Sequence, residues 1–441
     1  MITDDNKKLA QWAMEYALKN GCQAAKLVLY TNSNSSFELR DGKMDRLQQS
    51  TENGLGLNLY VDGRFGSFST NRLGLDKKEL ETLITNGIES TRYLAVDESR
   101  MLADPARYYK GGKPDLQLFD KKLYEVNPDD KVAIARAAAE EVLGKDERII
   151  SVDSSYSDGE GSSYRLISNG FEGESKSTWF SVSASVSIKG EGEARPQDYW
   201  YDSALFYDKL TKTGIGAKAL ERVLRKLGQK KAKSGKYTMV VDPMNVGNLL
   251  SPMLSALYGS ALQQKNSFLM DKLDTKVASD LFTLRDEPHA IGANGSRYFD
   301  NEGVATEPRT VFDKGVLKTY FIDTYNGKKM DIAPTISAPS RLILTPGDKD
   351  LNGLVADIKQ GILVTGFNGG NSNSSTGDFS YGIEGFLIED GKLTQPVNEM
   401  NVTGNMVTLW NSLVAVGNDP QPNRSWQIPS LVFEGVDFSG L

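Results

Sequence analysis

Residues able to carry chemistry are sparse in this chain of 441 residues, which holds one histidine, His289, and one cysteine, Cys22. A zinc site draws mainly on His and Cys, with carboxylates as minority partners. One of each cannot assemble such a site within the chain. As a general base, His289 would need a Ser or Cys nucleophile within hydrogen-bond reach. It sits beside Asp286 and Glu287 in a Pro-containing loop with no nucleophile motif aimed at it, and reads as a satisfied loop histidine. Cys22 follows a helix stop and reads as an inert, partly buried thiol. Asp300, Glu302, Asp378 and Glu384 lie in Gly-rich stretches. Paired carboxylates can hydrolyse glycosides, but nothing in their spacing pairs them, and turn chemistry accounts for them better. The Gly/Asn/Ser loop 366–377 offers backbone N–H groups to an anion. It lacks the lysine of a phosphate-binding loop, and close backbone approach, to another segment or to a peptide, explains its glycines better. No nucleotide-binding glycine motif and no G-x-S-x-G elbow occurs.

The elements that would position a site centre on Tyr237–Gly259. Met239, Val240 and Val241 read as a buried strand, Asp242-Pro243 and Asn245 as a break, and Gly247-Asn248 as a helix start. Leu249, Leu250, Met253, Leu254 and Leu257 then recur at helical spacing, with Gly259 able to end the helix. A helix after a strand is a good mount for metal ligands, yet Ser251 to Ala256 contains no His, Glu or Cys.

On the N-terminal side, the periodicity predicts helices over 3–20, 75–93, 131–143 and 211–226. Short strands are expected at 25–31, 36–40, 43–49, 55–61 and 64–69, with Asp41-Gly42 and Asp62-Gly63 as type I′ turns. Strands 149–156 and 163–168 flank an expected loop at 157–161. Phe180–Ile188 alternates strictly, and its serine face either lines a polar cavity or faces solvent. C-terminal to the basic, Gly-bounded linker 228–235 the chain turns mostly β, with Asp390-Gly391 as another tight turn. The fold class expected is α+β, with units at 1–94, 115–227 and 236–441, the last mainly antiparallel and barrel-like.

Net charge of -7 and a pI near 5.2 argue against a direct nucleic-acid partner, which would need a basic stripe. The single cysteine fits a reducing compartment. The start of the chain is charged rather than apolar, and no apolar run approaches the ~18 residues of a membrane span. A cytoplasmic protein with no membrane partner is expected.

Several segments together resemble the TldD/PmbA family, also called modulators of DNA gyrase. They are Phe299–Thr306, Gly315–Asn326, Asn373–Ser380 with Gly385–Lys392, and Gly404-Asn405, with the hairpins at 40–43 and 62–66 fitting the family's N-terminal part. The resemblance implies two branches. The TldD branch carries H-E-x-x-x-H on a helix and a Cys near the C-terminus, which hold a metal for peptide-bond hydrolysis. The PmbA branch lacks them. Here Ser251 and Ala256 stand where the histidines would be, Pro252 where the glutamate would be, and Asn418 near the cysteine position. The resemblance therefore implies a chain with no catalytic residue and no metal of its own, zinc being expected only in a TldD-type partner subunit. It further implies peptide substrates enclosed by the pair. The contact loop expected for them comprises Asn368, Gly369, Gly370, Asn371, Thr376, Gly377 and Asp378. Two alternatives stand beside the subunit reading: a peptide-binding scaffold that is a homodimer when alone, and a hydrolase using carboxylates or a partner-supplied metal.

Overall fold

The computed structural model describes residues 2–74 and 76–441. Helix α1 (Asp4–Lys19) opens on a Thr3 capping box and leads into three antiparallel strands, β1 (Ala24–Arg40), β2 (Lys43–Val61) and β3 (Arg64–Thr70). Helix α2 (Lys77–Thr91) and, after an irregular connection, α3 (Pro128–Glu140) follow. Then come β4 (Ile149–Ile167), β5 (Phe171–Ile188), β6 (Gln197–Ala204) and α4 (Ile215–Leu224). The six strands form one antiparallel sheet in the order β3-β2-β1-β4-β5-β6.

Strand length departs from expectation. The runs 25–31 and 36–40 are one strand of 17 residues, and 43–49 and 55–61 are one of 19. The loop expected at 157–161 is strand as well. The cause is register. Asn34 lies opposite both Ser50 and Gly159, so the polar segments of three neighbouring strands align into one belt and hydrogen-bond laterally. Gly159 is needed there because a Cβ would lie 2.4 Å from the Ser33 carbonyl oxygen.

The same alternation fixes the faces. Leu27, Leu29, Phe37 and Leu39 on β1, and Val152, Tyr156, Tyr164 and Leu166 on β4, are buried. Each set has one parity, so all four helices cover one face of the sheet. One end of that face packs on α1 and α2, the other on α3 and α4, giving two separate apolar cores. On β5 the serines are half-exposed and bond across the sheet, Ser183 to Ser155 at 2.8 Å.

The C-terminal half begins with β7 (Gly235–Val241), α5 (Gly247–Ser255) and α6 (Gly259–Gln263), so Gly259 opens a further short helix. Next come β8 (Leu284–Asp286), β9 (Arg309–Asp313), β10 (Val316–Leu317), α7 (Thr324–Met330), β11 (Leu342–Leu344) and α8 (Leu351–Ala356). The chain ends with β12 (Gln360–Ser372), β13 (Asp378–Glu389), β14 (Lys392–Asn405), α9 (Met406–Asn411), β15 (Leu413–Val416), β16 (Trp426–Gln427) and β17 (Leu431–Ser439). Strands β14-β13-β12-β7-β17 close into a five-stranded barrel through the β14–β17 pairing. Closure removes the sheet edges over the paired part of the barrel. The α+β class with a barrel-like C-terminal part is thus as expected. The linker 228–235 lies along the barrel, with Lys230 N donating to the Pro396 carbonyl at 3.1 Å.

Candidate functional site

Helix α5 is held at its N-terminal end. Asp242, at the end of β7, accepts from Asn245 N at 3.0 Å and from Asn245 Nδ2 at 2.7 Å. Asn245 Nδ2 also donates to the Thr365 carbonyl on β12 at 2.8 Å. Burial pushes the Asp242 carboxyl up to about 6, against these hydrogen bonds and the Arg222 charge, which favour ionisation. Further along, Trp410 Nε1 donates to the Leu249 carbonyl at 3.3 Å. Leu249, Leu250, Met253 and Leu254 turn the helix into the core.

Ser251 and Ala256 are five residues apart, which on an α-helix separates their directions by roughly 140°. Ser251 is accordingly exposed and Ala256 is buried. Pro252, inside the helix, brings no donor atom. Asn418 lies elsewhere: its Nδ2 donates to the Asp348 carbonyl at 3.0 Å and its backbone N to the Lys349 carbonyl at 2.9 Å. Among the described residues no hydrogen bond joins it to 251–256, and no group of three or more His, Cys, Asp or Glu side chains could hold a metal. A hydroxyl, a ring, a methyl and an engaged amide do not fit a zinc ion.

The other candidates are accounted for singly. His289 is half-buried, tilted against Tyr298 at 5.0 Å, and its Nε2 lies 3.0 Å from Thr306 Oγ1. Thr306 donates to the Arg297 carbonyl, so Nε2 carries the proton and donates. Burial, then Lys113, lowers its pKa. Cys22 is buried, and desolvation pushes its thiol up to about 11. Asp300 accepts from the backbone of Glu302, Val304 and Ser337, and Glu302 from Thr324. Asp378 accepts from Thr376 and Asn405, and Glu384 pairs with Lys226 at 2.7 Å. Each of the four is thus engaged by its own partners, and burial, with Asp300 adding to it, raises the Glu302 pKa.

The stretch expected to be a loop at 366–377 is strand up to Ser372, and only 373–377 turns. Two bulges accommodate its glycines, between Val364 and Gly366 and between Phe367 and Gly370. Gly370 has φ +94°, and a Cβ there would lie 2.1 Å from the Ser380 carbonyl oxygen. The glycines therefore serve close approach to the neighbouring strand. Replacing Gly370 with alanine is expected to cost about 1–3 kcal/mol, read as a lowered urea midpoint, with faster amide exchange confined to the β12–β13 hairpin. The turn is tied down, since Ser374 and Ser375 donate to Asn266, and Asn405 Nδ2 donates to the Thr376 carbonyl. Gly377 is buried there, whereas Asn368, Gly369, Gly370, Asn371, Thr376 and Asp378 are exposed. Strand β12 pairs with β7 only over 361–364, so among the described residues 366–372 ladders with β13 alone. Its outer edge is open.

Comparison with known proteins places this architecture. Three descriptions of the PmbA/TldA metallopeptidase match: domain 1 at residues 25–90, the central domain at 121–227 and the C-terminal domain at 234–440. The chain belongs to the PmbA/TldD family. It is 74% identical to a Bacteroides thetaiotaomicron protein described as a candidate modulator of DNA gyrase, whose crystal structure superimposes with TM-score 0.98 over 100% of both chains. The metalloprotease PmbA homologue of Haemophilus influenzae is 28% identical over 98% of this chain and 96% of its own length. TldE from Thermococcus kodakarensis shares the fold, with TM-score 0.83 at 19% identity over 98% of this chain and 99% of its own. A peptidase-family role follows for this PmbA/TldD member. Among its described residues no helix is long and apolar enough to cross a membrane. Sequence reasoning missed Asp242 as more than a helix breaker, and missed the open edge of β12, whose only trace was the glycine spacing.

Proposed function

We propose that this chain is the non-catalytic subunit of a PmbA/TldD-type metallopeptidase, paired with a TldD-type subunit that holds the zinc. The observation that carries this reading is the donor chemistry of α5: Ser251, Pro252 and Ala256 occupy the metal-motif positions, two of them pointing in different directions. The chain's own contribution is to shape the substrate chamber. An extended peptide adds to the open edge at 366–372, where main-chain hydrogen bonds give affinity without demanding a sequence. Phe367 and Tyr381, packed edge to face at 5.6 Å on β12 and β13, give that edge an aromatic neighbour.

Mixing tests it. Unfolded-peptide hydrolysis is expected only when this chain and a TldD-type subunit are combined, and chelation should abolish it. Absence of a complex at micromolar concentration would remove the subunit reading and leave the peptide-binding homodimer. Metal analysis of the purified chain is expected to find substoichiometric zinc. One zinc per chain, held without a partner, would overturn the proposal.

A further inference from the structure

On the sheet face turned away from the four helices, Lys26 and Arg165 meet Asp300 and Asn301 of the C-terminal half, and positive charge gathers at that seam. In register, Lys26 of β1 lies opposite Ile167 and Val28 opposite Arg165 of β4, so Lys26 and Arg165 are near neighbours on one face. Arg165 has only neutral acceptors, each at 3.3 Å: Nη1 to the Asp300 carbonyl and Nη2 to Asn301 Oδ1. Its Nε is buried with no acceptor. Arg297 likewise donates to Ser340 Oγ at 2.9 Å and to the Ala338 and Pro339 carbonyls at 2.7 and 3.1 Å. Lys26 donates to the Asn301 carbonyl. No carboxylate among the described residues pairs with these three cations at ion-pair distance.

A cleft of about 440 Å³ opens beside Arg165 and Arg297, with Lys113 at its wall. It shares Leu118, Ser175, Lys176, Ser296 and Arg297 with a second hollow of about 390 Å³, so the two adjoin. The acidic side chains at the rim are engaged: Glu174 by Lys7 at 2.5 Å, and Asp115 by Gln117 N at 2.9 Å. Lys176 forms part of the wall but turns its ammonium to Glu160 at 3.6 Å and onto the Phe119 ring at 3.5 Å. A half-buried guanidinium whose buried Nε lacks an acceptor, beside a second arginine, is costly unless an anion offsets the charge. In a chain of net charge -7 the concentration stands out against the average. Burial, and then Arg165, push the Lys26 amine down to about 8, against Glu302 and Asp300, which raise it.

We propose that this cleft binds the terminal carboxylate of a peptide, with Arg165 and Arg297 as the charged anchors. The proposal rests on the reading that this chain handles peptides. A planar guanidinium matches a carboxylate in two parallel hydrogen bonds. The Ser163 and Ser175 hydroxyls, already 2.8 Å apart, offer further polar contacts at the cleft wall. Tyr109 and Tyr298, stacked at 5.1 Å, give the last side chain an aromatic wall.

The test uses the full chain alone and two fluorescein-labelled pentapeptides of one sequence, one ending in a free acid and one in an amide, followed by fluorescence polarisation. The acid is expected to bind about tenfold more tightly, as one added charge-assisted contact gives. Arg165→Gln and Arg297→Gln should each erase that preference while leaving amide binding in place, and Arg165→Lys should keep part of it. The exposed Lys113→Gln, which disturbs no core, should reduce it. The amine of Lys26, followed by NMR after reductive methylation, should titrate higher when the acid peptide is bound. Equal affinity for acid and amide in the wild-type chain overturns the proposal, as does a preference that survives both arginine variants. Displacement of the acid peptide by inorganic phosphate at concentrations where acetate fails also overturns it, and assigns the cleft to phosphate groups. Each of these results leaves the subunit reading standing, because that depends on proteolysis in the mixture.

Discussion

Trp410→Ala is expected to destabilise the C-terminal barrel by about 3–5 kcal/mol, the range for emptying an aromatic site in a packed core. Trp410 is fully buried. Its ring centroid lies 4.4 Å from that of Phe282 and 5.6 Å from that of Phe433, so it joins the 279–282 segment to barrel strand β17. Its indole N–H is the hydrogen-bond link from α9 to the Leu249 carbonyl of α5. Alanine would remove both the volume and that link. Trp410→Phe keeps most of the volume and loses the hydrogen bond, so it should cost less, about 1–2 kcal/mol. The chain has several cores and need not unfold in one step. The readout is therefore the urea transition followed by amide exchange in β7, β12 and β17, with the α1–α4 region as internal reference. A Trp410→Ala chain as stable as wild type in those strands would mean that the ring is not a keystone of the barrel. Since α5 carries the metal-motif positions, the same variant should also weaken proteolysis in the reconstituted pair.

How much of this was legible beforehand depended on whether the signal was local. The Asp-Gly turns are where they were expected, with Asp41 and Gly42 at φ 50° and 75°, Asp62 and Gly63 at 52° and 73°, and Asp390 and Gly391 at 47° and 76°. Each needs only two residues that tolerate positive φ. Helices α1 to α4 were likewise announced by 3.6-residue periodicity. Strand ends go astray wherever a polar stretch reads as a loop. Polarity misleads at Asn32–Ser35 because that stretch is satisfied by equally polar segments on β2 and β4, and the match exists only once the strands are in register. The hairpin of β12 and β13 shows the same failure, its glycines marking bulges rather than a loop. As for the site, the substitution of metal ligands at 251, 252 and 256 could be seen in the sequence. That Ser251 and Ala256 diverge follows from their five-residue spacing, but that Arg165 meets Arg297 across the seam could not be seen, because residues 132 positions apart share no local pattern.

The polar belt of the N-terminal sheet makes the second strong prediction. Lys131 of α3 reaches Asp158 of β4 at 2.6 Å, with 10% and 3% of the two side chains exposed. Asp158 also accepts from Ser35 and from Tyr156 OH, and Lys131 donates to Ser35 Oγ at 3.2 Å. A cleft of about 370 Å³ opens beside them, in the gap between the two helix pairs. Asp158→Ala would leave a buried ammonium with no carboxylate partner and should cost about 3–5 kcal/mol, with little relief from added salt because the pair is shielded. Lys131→Met should cost less, since the Asp158 carboxylate keeps its two hydroxyl donors. If the pair serves only the fold, Lys131→Met combined with Asp158→Leu should recover most of the loss, as apolar replacement of buried ion pairs often does. A double-mutant cycle on Lys131→Met and Asp158→Leu, made singly and together, measures this directly. Full additivity of the two single losses would show that the ion pair is not the unit of stability. Recovered stability with lost proteolysis in the reconstituted pair would instead assign the belt to peptide handling, because a cleft kept polar at the expense of its own desolvation has a use outside the fold.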